Sequence, residues 1–294
     1  MRVCPEREIG SDFMESTFLV EARHITKSFP KSTALEDASL NILPGQIHAL
    51  LGENGAGKTT LMKILGGLYA AKTYEGEIVI AGEPVVFNSP QDALRRGISI
   101  VLRRVSVFEQ LNVGENIVVA HWQASHKFLI TQQETERRAQ DTLDLLGLKL
   151  DLSLKARELT SSQKRMLMIA RAVSPNPRLI ILDEPAAYIR TPAELGQLFR
   201  VVRVLSAQSI ACLYLTRRPA EVMQIADRVS VLRDGSFVGD FERAEFDEGA
   251  LSALMASQRI GDYGDGDEDE RETPGGLLGA LGSLFTFGRR NERD

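Results

Sequence analysis

The chain has 294 residues, 43% apolar and 26% charged, which is enough apolar material for one large or two small packed domains. Two cysteines, Cys4 and Cys212, exclude a disulfide framework and point to a reducing, cytosolic compartment. No apolar run nears the roughly 18 residues of a membrane span, and the charged first twenty residues hold no signal-peptide core.

The net charge of −5 resides in a tail. Asp262 to Asp294 carry nine acidic and four basic residues, leaving 31 of each sign in residues 1–261. A neutral body without a basic stripe argues against nucleic acid as the main partner.

Residues 1–17 are polar and aperiodic and read as a frayed lead-in. From Phe18 the segments LVEARHITKSF, ASLNIL and IHALLG read as strands, followed by a helix over KTTLMKILGGL. EIVIAG and EPVVF read as further strands, then come a short helix near QDALRRG and the strand ISIVL. The stretch from about Val113 to Ala172 is helical in pattern. In TQQETERRAQDTLDLLGL the apolar residues Ala139, Leu143, Leu146 and Leu148 fall at helical spacing, and Gly147 ends the run. Alternation then returns: LIILDEP as strand, TPAELGQLFRVVRVLSAQ as helix, IACLYLT as strand, RPAEVMQIADR as helix and VSVLRDG as strand. This order predicts an α/β fold with a mainly parallel sheet, split by a helical insertion. No internal repeat is found, so the reading is one copy of the unit.

The sharpest local feature is Gly52-Glu53-Asn54-Gly55-Ala56-Gly57-Lys58-Thr59, a full match to G-x-x-x-x-G-K-[ST] between the strand IHALL and a helix. The glycines let successive backbone N–H groups turn toward one anion, and the helix adds its positive N-terminal end. Lys58 reaches the β- and γ-phosphates in this pattern, and Thr59 offers a hydroxyl to magnesium. A chance glycine-rich turn is the alternative, and the strand–loop–helix context argues against it. The second feature is Leu179-Ile180-Ile181-Leu182-Asp183-Glu184-Pro185, an apolar strand ending in two carboxylates. Asp183 suits a magnesium-holding acid, and Glu184 is placed to orient or deprotonate an attacking water.

From about Phe18 to Met255 these residues resemble the nucleotide-binding subunits of ABC transporters, most of all the ATPases of monosaccharide importers. GENGAGKTTLMKILGGLY, LNVGENI at 111–117 and VSVLRDG at 229–235 carry the resemblance. It implies a P-loop NTPase (RecA-like) core with an N-terminal antiparallel β subdomain and an inserted helical subdomain over about 103–172, the whole spanning 18–258. It also implies ATP and Mg2+ held by Gly52, Asn54, Gly55, Ala56, Gly57, Lys58, Thr59 and Thr60, with Thr59 and Asp183 on the metal. Membrane permease subunits, a second ATPase subunit packed head to tail and, indirectly, an extracytoplasmic sugar-binding protein are the implied partners. The implied location is the inner face of the plasma membrane. Phe29, 23 residues before Gly52, stands where the family places an aromatic on adenine, and could equally be a core residue.

Four departures stand out. Arg103 occupies the place of the family's magnesium-contacting Gln, and arginine, a donor only, cannot ligate a metal. The signature, usually Leu-Ser-Gly-Gly-Gln, reads Leu159-Thr160-Ser161-Ser162-Gln163, so two glycines are now Ser161 and Ser162. Tyr188 is bulky where relatives keep a small residue at the dimer seam. Arg217 replaces the switch histidine and is a poor proton shuttle, although it could contact a γ-phosphate bidentately. Two readings follow: a working, atypical transport ATPase with Glu184 and Arg217 at the reacting end, or an impaired regulatory subunit paired with an active ATPase.

Weaker signals stay bland. Asp262, Asp265, Asp267 and Asp269 superficially resemble a calcium loop, but the sixth position from Asp265 is Glu270, not glycine, so a solvated linker is expected. LLGALGSLFTF at 277–287, followed by Arg289 and Arg290, reads as a mobile, glycine-rich tail before a surface-binding helix. Trp122, between His121 and His126, reads as ordinary packing in the helical insertion.

Overall fold

The computed structural model describes residues 18–125 and 131–256. The expected lead-in, His126 and the acidic tail from 259 lie outside the described residues, as do the side chains of His121 and Trp122.

Strands β1 (Val20–Phe29) and β2 (Ser32–Ile42) form an antiparallel hairpin. The next strand, β3 (Ile47–Leu51), leaves it for a second sheet and is buried along its whole length. Helix α1 (Lys58–Leu65) follows directly, and β4 (Glu75–Ile80) and β5 (Glu83–Val85) return to the first sheet, completing the antiparallel order β2-β1-β4-β5. The expected antiparallel β unit is therefore present. Its register is interrupted in β1, where His24 has a φ of 54° and its Nδ1 lies 2.7 Å from Asp37 Oδ1.

Helix α2 (Pro90–Arg95) leads into β6 (Ile98–Val101), an edge strand of the second sheet. Three helices follow: α3 (Val113–Ser125), α4 (Gln132–Leu146) and α5 (Ser161–Val173). The Thr131 hydroxyl caps α4 by accepting from the Glu134 amide, and Gly147 ends it at a φ of 62°. The helical reading of 113–172 is too broad. Residues 147–160 form a connection with one 3-10 turn at Ala156–Glu158, because Leu148, Ala156 and Leu159 reach the core without a continuous apolar stripe.

The second sheet is completed by β7 (Leu179–Asp183), α6 (Pro192–Ala207), β8 (Ala211–Thr216), α7 (Pro219–Ile225), β9 (Arg228–Arg233), β10 (Ser236–Glu242) and α8 (Glu248–Met255). Its order is β10-β9-β3-β8-β7-β6, parallel from β9 to β6 with β10 antiparallel at one edge. Strands β3, β7 and β8 are buried at every residue, as parallel strands covered on both faces must be. Each Leu or Ile so buried is worth about 1.5–3 kcal/mol, which fixes these strands at the centre. One core cluster lies between this sheet and α3–α6, and another between it, α1 and the antiparallel sheet. The buried His48 belongs to this scaffold: its Nε2 lies 2.8 Å from Ser230 Oγ, and burial pushes its pKa down to about 4, so it is neutral.

Candidate functional site

Three segments converge at the C-terminal ends of β3, β7 and β8, the edge where open parallel sheets bind ligands. The first is the loop 52–57. Gly55 and Gly57 carry φ of 80° and 106°, and a Cβ on Gly57 would meet the Ala34 carbonyl oxygen at 2.4 Å. At Gly52 a Cβ would stand 2.3 Å from the Leu232 carbonyl oxygen. Glycine is thus required at 52 by the end of β9 packed against the loop, a reason the motif alone does not supply. The Ala56 carbonyl accepts from the Gly235 amide in the β9–β10 turn, and the Gly52 amide donates to the Thr216 carbonyl at the end of β8, so the two ends of the loop are tied to different parts of the scaffold.

Lys58 opens α1 and is buried, and its Nζ donates to the carbonyls of Gly52 at 2.7 Å and Glu53 at 2.9 Å. Burial lowers its pKa, while the charges of Glu184 and Asp183 oppose that shift. Glu53, Asn54, Gly55 and Thr59 are exposed around it, and Thr60 is half-buried. The Gly52 and Ala56 amides are used on the Thr216 and Glu53 carbonyls, while residues 53–55 and Thr59 reach solvent from that base.

The second segment is the end of β7. Burial, then the neighbouring Glu184, raise the pKa of Asp183, while Lys58 and the backbone amide of Arg103 hold its charge in place. Glu184 leaves the strand at a φ of 39° with its amide bonded to the Leu215 carbonyl, a locally strained turn that aims the side chain off the sheet. The Arg103 Nε lies 3.5 Å from Glu184 Oε2. The replacement for the expected Gln thus sits on the carboxylate that the sequence marks as the water-activating group.

The third segment follows β8. A cleft is lined by Glu184, Ala187, Thr216, Arg217, Arg218 and Glu221, which brings Arg217 to the same side as Glu184. Arg217 is exposed, and its charge is felt at Lys58. The side chains around it are tied by Glu221, whose carboxylate accepts from the Tyr214 hydroxyl at 3.0 Å, the Thr216 hydroxyl at 2.9 Å and the Arg218 guanidinium at 3.1 Å.

The signature serines lie apart from this group, at the start of α5. Thr160 and Gln163 form a capping box, with Thr160 Oγ1 accepting from the Gln163 amide at 3.2 Å and Gln163 Oε1 from the Thr160 amide at 2.9 Å. The pattern Thr-x-x-Gln carries that signal in the sequence, which leaves Ser161 exposed and Ser162 half-buried. The Glu194 carboxylate, which accepts from the amides of Arg190 and Thr191 at the start of α6, lies near enough to Ser162 for the hydroxyl to favour its charged form. Phe29 is at the surface, its ring edge-on to Tyr69 at 5.8 Å with Lys27 Nζ 4.9 Å from its centroid.

The family profile described as ABC transporter matches residues 35–187, which include the loop 52–57, the signature and the end of β7. The chain belongs to the ABC transporter family. Within it, the chain is 40% identical over 249 residues to the ribose import ATP-binding protein RbsA 2 of Escherichia coli O157:H7, covering 85% of this chain and 48% of that protein. It is 39% identical over 265 residues to the ribose import ATP-binding protein RbsA of Yersinia pestis, covering 90% and 51%. The chain thus spans about half the length of the curated relatives it matches. An ATP-binding cassette of an ABC transporter in its ADP conformation superposes with a TM-score of 0.70 at 24% identity, covering 81% of this chain and 94% of that one. A dimeric cassette bound to ADP and phosphate gives 0.66 at 22%, covering 77% and 100%. The fold is that of the P-loop cassettes, as the sequence implied. Among the described residues no helix is long and apolar enough to cross a membrane.

Proposed function

We propose that this ABC family chain is the ATP-binding subunit of a sugar importer, peripheral on the inner face of the membrane and coupled to separate permease subunits. The convergence of Lys58, Asp183 and Glu184 on one sheet edge carries the reading, and the likeness to ribose import ATP-binding proteins gives it a substrate class. Exposed loop amides and Lys58 take the phosphates, and the Thr59 hydroxyl with the Asp183 carboxylate would hold magnesium. One carboxylate and one hydroxyl fit that ion, which keeps several waters and binds through phosphates, and no cluster of three or more candidate ligands occurs among the described residues. When bound, the ion neutralises charge on the transferring phosphoryl oxygens. Glu184 orients the attacking water, and Arg103, paired with Glu184, competes for that carboxylate and slows the step.

The same ion pair favours a second reading, an impaired subunit that binds ATP and regulates an active partner. The substituted signature, with Glu194 beside Ser162, fits a head-to-tail partner that is a different ATPase. Such a partner completes the site built on Lys58 and leaves one better and one worse site. A homodimer whose serine hydroxyls replace the lost backbone contacts is the rival arrangement.

ATP turnover of the purified chain, alone and with its permease, tests the first reading: stimulation by the permease is expected, and none supports the regulatory subunit. Native mass spectrometry of the membrane complex tests the partner. One copy of this chain with one other ATPase is expected, and two copies with no second ATPase exclude the heterodimer.

A further inference from the structure

Arg165 lies one turn into α5 and is 2% exposed, yet no carboxylate is paired with it among the described residues. A buried guanidinium costs several kcal/mol to desolvate unless its donors are used. Here Nη1 donates to the Leu102 carbonyl at 2.8 Å and Nη2 to the Arg103 carbonyl at 2.5 Å, while Nε has no partner. Strand β6 ends at Val101, and no described loop amide reaches those two carbonyls. The guanidinium therefore anchors the first two residues after the strand, and Arg171 anchors the next turn by donating to the Ser106 carbonyl at 2.6 Å.

The consequences run straight into the site. The amide of Arg103 faces the Asp183 carboxylate, and its side chain pairs with Glu184. On its other side Arg165 lies 5.8 Å from the ring centroid of Tyr188, which is 53% exposed. One side chain thus links the signature helix, the Arg103 peptide and an exposed ring beside the two acids.

We propose that Arg165 is a positioning residue for the metal-holding end of the site: by fixing the Leu102 and Arg103 peptides it sets the Asp183 carboxylate for magnesium. The inference rests on the reading that Asp183 holds the ion. It separates phosphate binding, which Lys58 carries, from metal binding, which Arg165 supports.

The test uses the full chain and a fluorescent ATP analogue, with affinity measured in magnesium and in EDTA. Removing a group that orients a metal ligand typically costs 10–100-fold in metal affinity. Arg165→Met is expected to cut the magnesium-dependent gain by about tenfold. Its metal-free affinity should stay at the wild-type level, and Arg165→Lys, which can still reach one carbonyl, should recover part of the gain. A magnesium-dependent gain equal to wild type in Arg165→Met, or in Arg165→Lys if the Met variant does not fold, overturns the inference alone. A parallel loss of metal-free affinity also overturns it. Wild-type protein with no magnesium-dependent gain overturns the underlying reading of Asp183 as well.

Discussion

The loop 52–57 and the three stretches around Arg103, Ser161–Ser162 and Arg217 obey different constraints. In the loop, Gly52 and Gly57 are pinned by backbone at 2.3 Å and 2.4 Å from where a side chain would begin, and Lys58 is buried against two carbonyls. Neither glycine can take a side chain without moving β9 or β2. In these stretches Arg103, Ser161 and Arg217 reach solvent, with Arg165 on the Arg103 carbonyl, the Thr160–Gln163 box beside Ser161, and Glu221 on the Thr216 and Arg218 side chains that flank Arg217. Side chains there are exchangeable at little cost in folding. The glycine pattern of the cradle is thus demanded by the scaffold as well as by an anion, whereas the departures at Arg103, Ser161 and Arg217 fall where the scaffold makes no such demand.

The largest expected effect breaks the cradle. Lys58→Ala removes the ammonium that no other cation in the loop replaces, and truncating one partner of a desolvated charge pair costs about 2–5 kcal/mol. ATP affinity measured by calorimetry should fall by a factor between about thirty and several thousand. Equal affinity in wild type and variant would place the phosphates elsewhere.

Next in size is the effect at the departures. If Arg103 and Arg217 rather than Glu184 limit hydrolysis, Arg103→Gln combined with Arg217→His should raise turnover, because the first change frees Glu184 and the second restores a titrating group. One positioning or proton-transfer group is worth about 10²–10⁴ in rate, so a gain near 10² is expected. Glu184→Gln added to that background should remove the gain. A double variant no faster than wild type rejects the account and leaves the regulatory subunit as the better reading.

The same contrast explains what the sequence disclosed. The cradle was legible because its glycines, Lys58 and Thr59 are contiguous and sit between a strand and a helix of clear period. The pair Asp183-Glu184 was legible as the polar end of an apolar strand. Arg165 was not, since within Lys-Arg-Met-Leu-Met a single arginine looks like a helix surface, and only the fold brings the Leu102 and Arg103 carbonyls to it. The approach of Glu194 to Ser162 likewise joins residues 32 positions apart. Strand β10 was missed because Gly239 and Asp240 blur its alternation at a half-exposed edge, and α8 because eight residues give too short a stripe.

The smallest expected effect sharpens the border between scaffold and ligand contact, at Phe29. Its ring already meets Tyr69 edge-on at 5.8 Å and an interplanar angle of 62°, and Lys27 Nζ lies 4.9 Å from its centroid. The ammonium is itself anchored on the Thr73 carbonyl at 2.5 Å, so it is not free to swing away when a base arrives. A purine must therefore share the ring with these neighbours, and aromatic pairing beyond area burial is worth only about 0.5–1.5 kcal/mol. Phe29→Ala should weaken ATP by roughly two- to tenfold. Inorganic triphosphate, which has no base, separates the two roles of the ring. If Phe29 stacks on adenine, its removal leaves triphosphate affinity unchanged while ATP loses that factor. If both ligands weaken alike, the ring acts through Tyr69 and Lys27 on the fold of the hairpin, and Phe29 belongs with the scaffold.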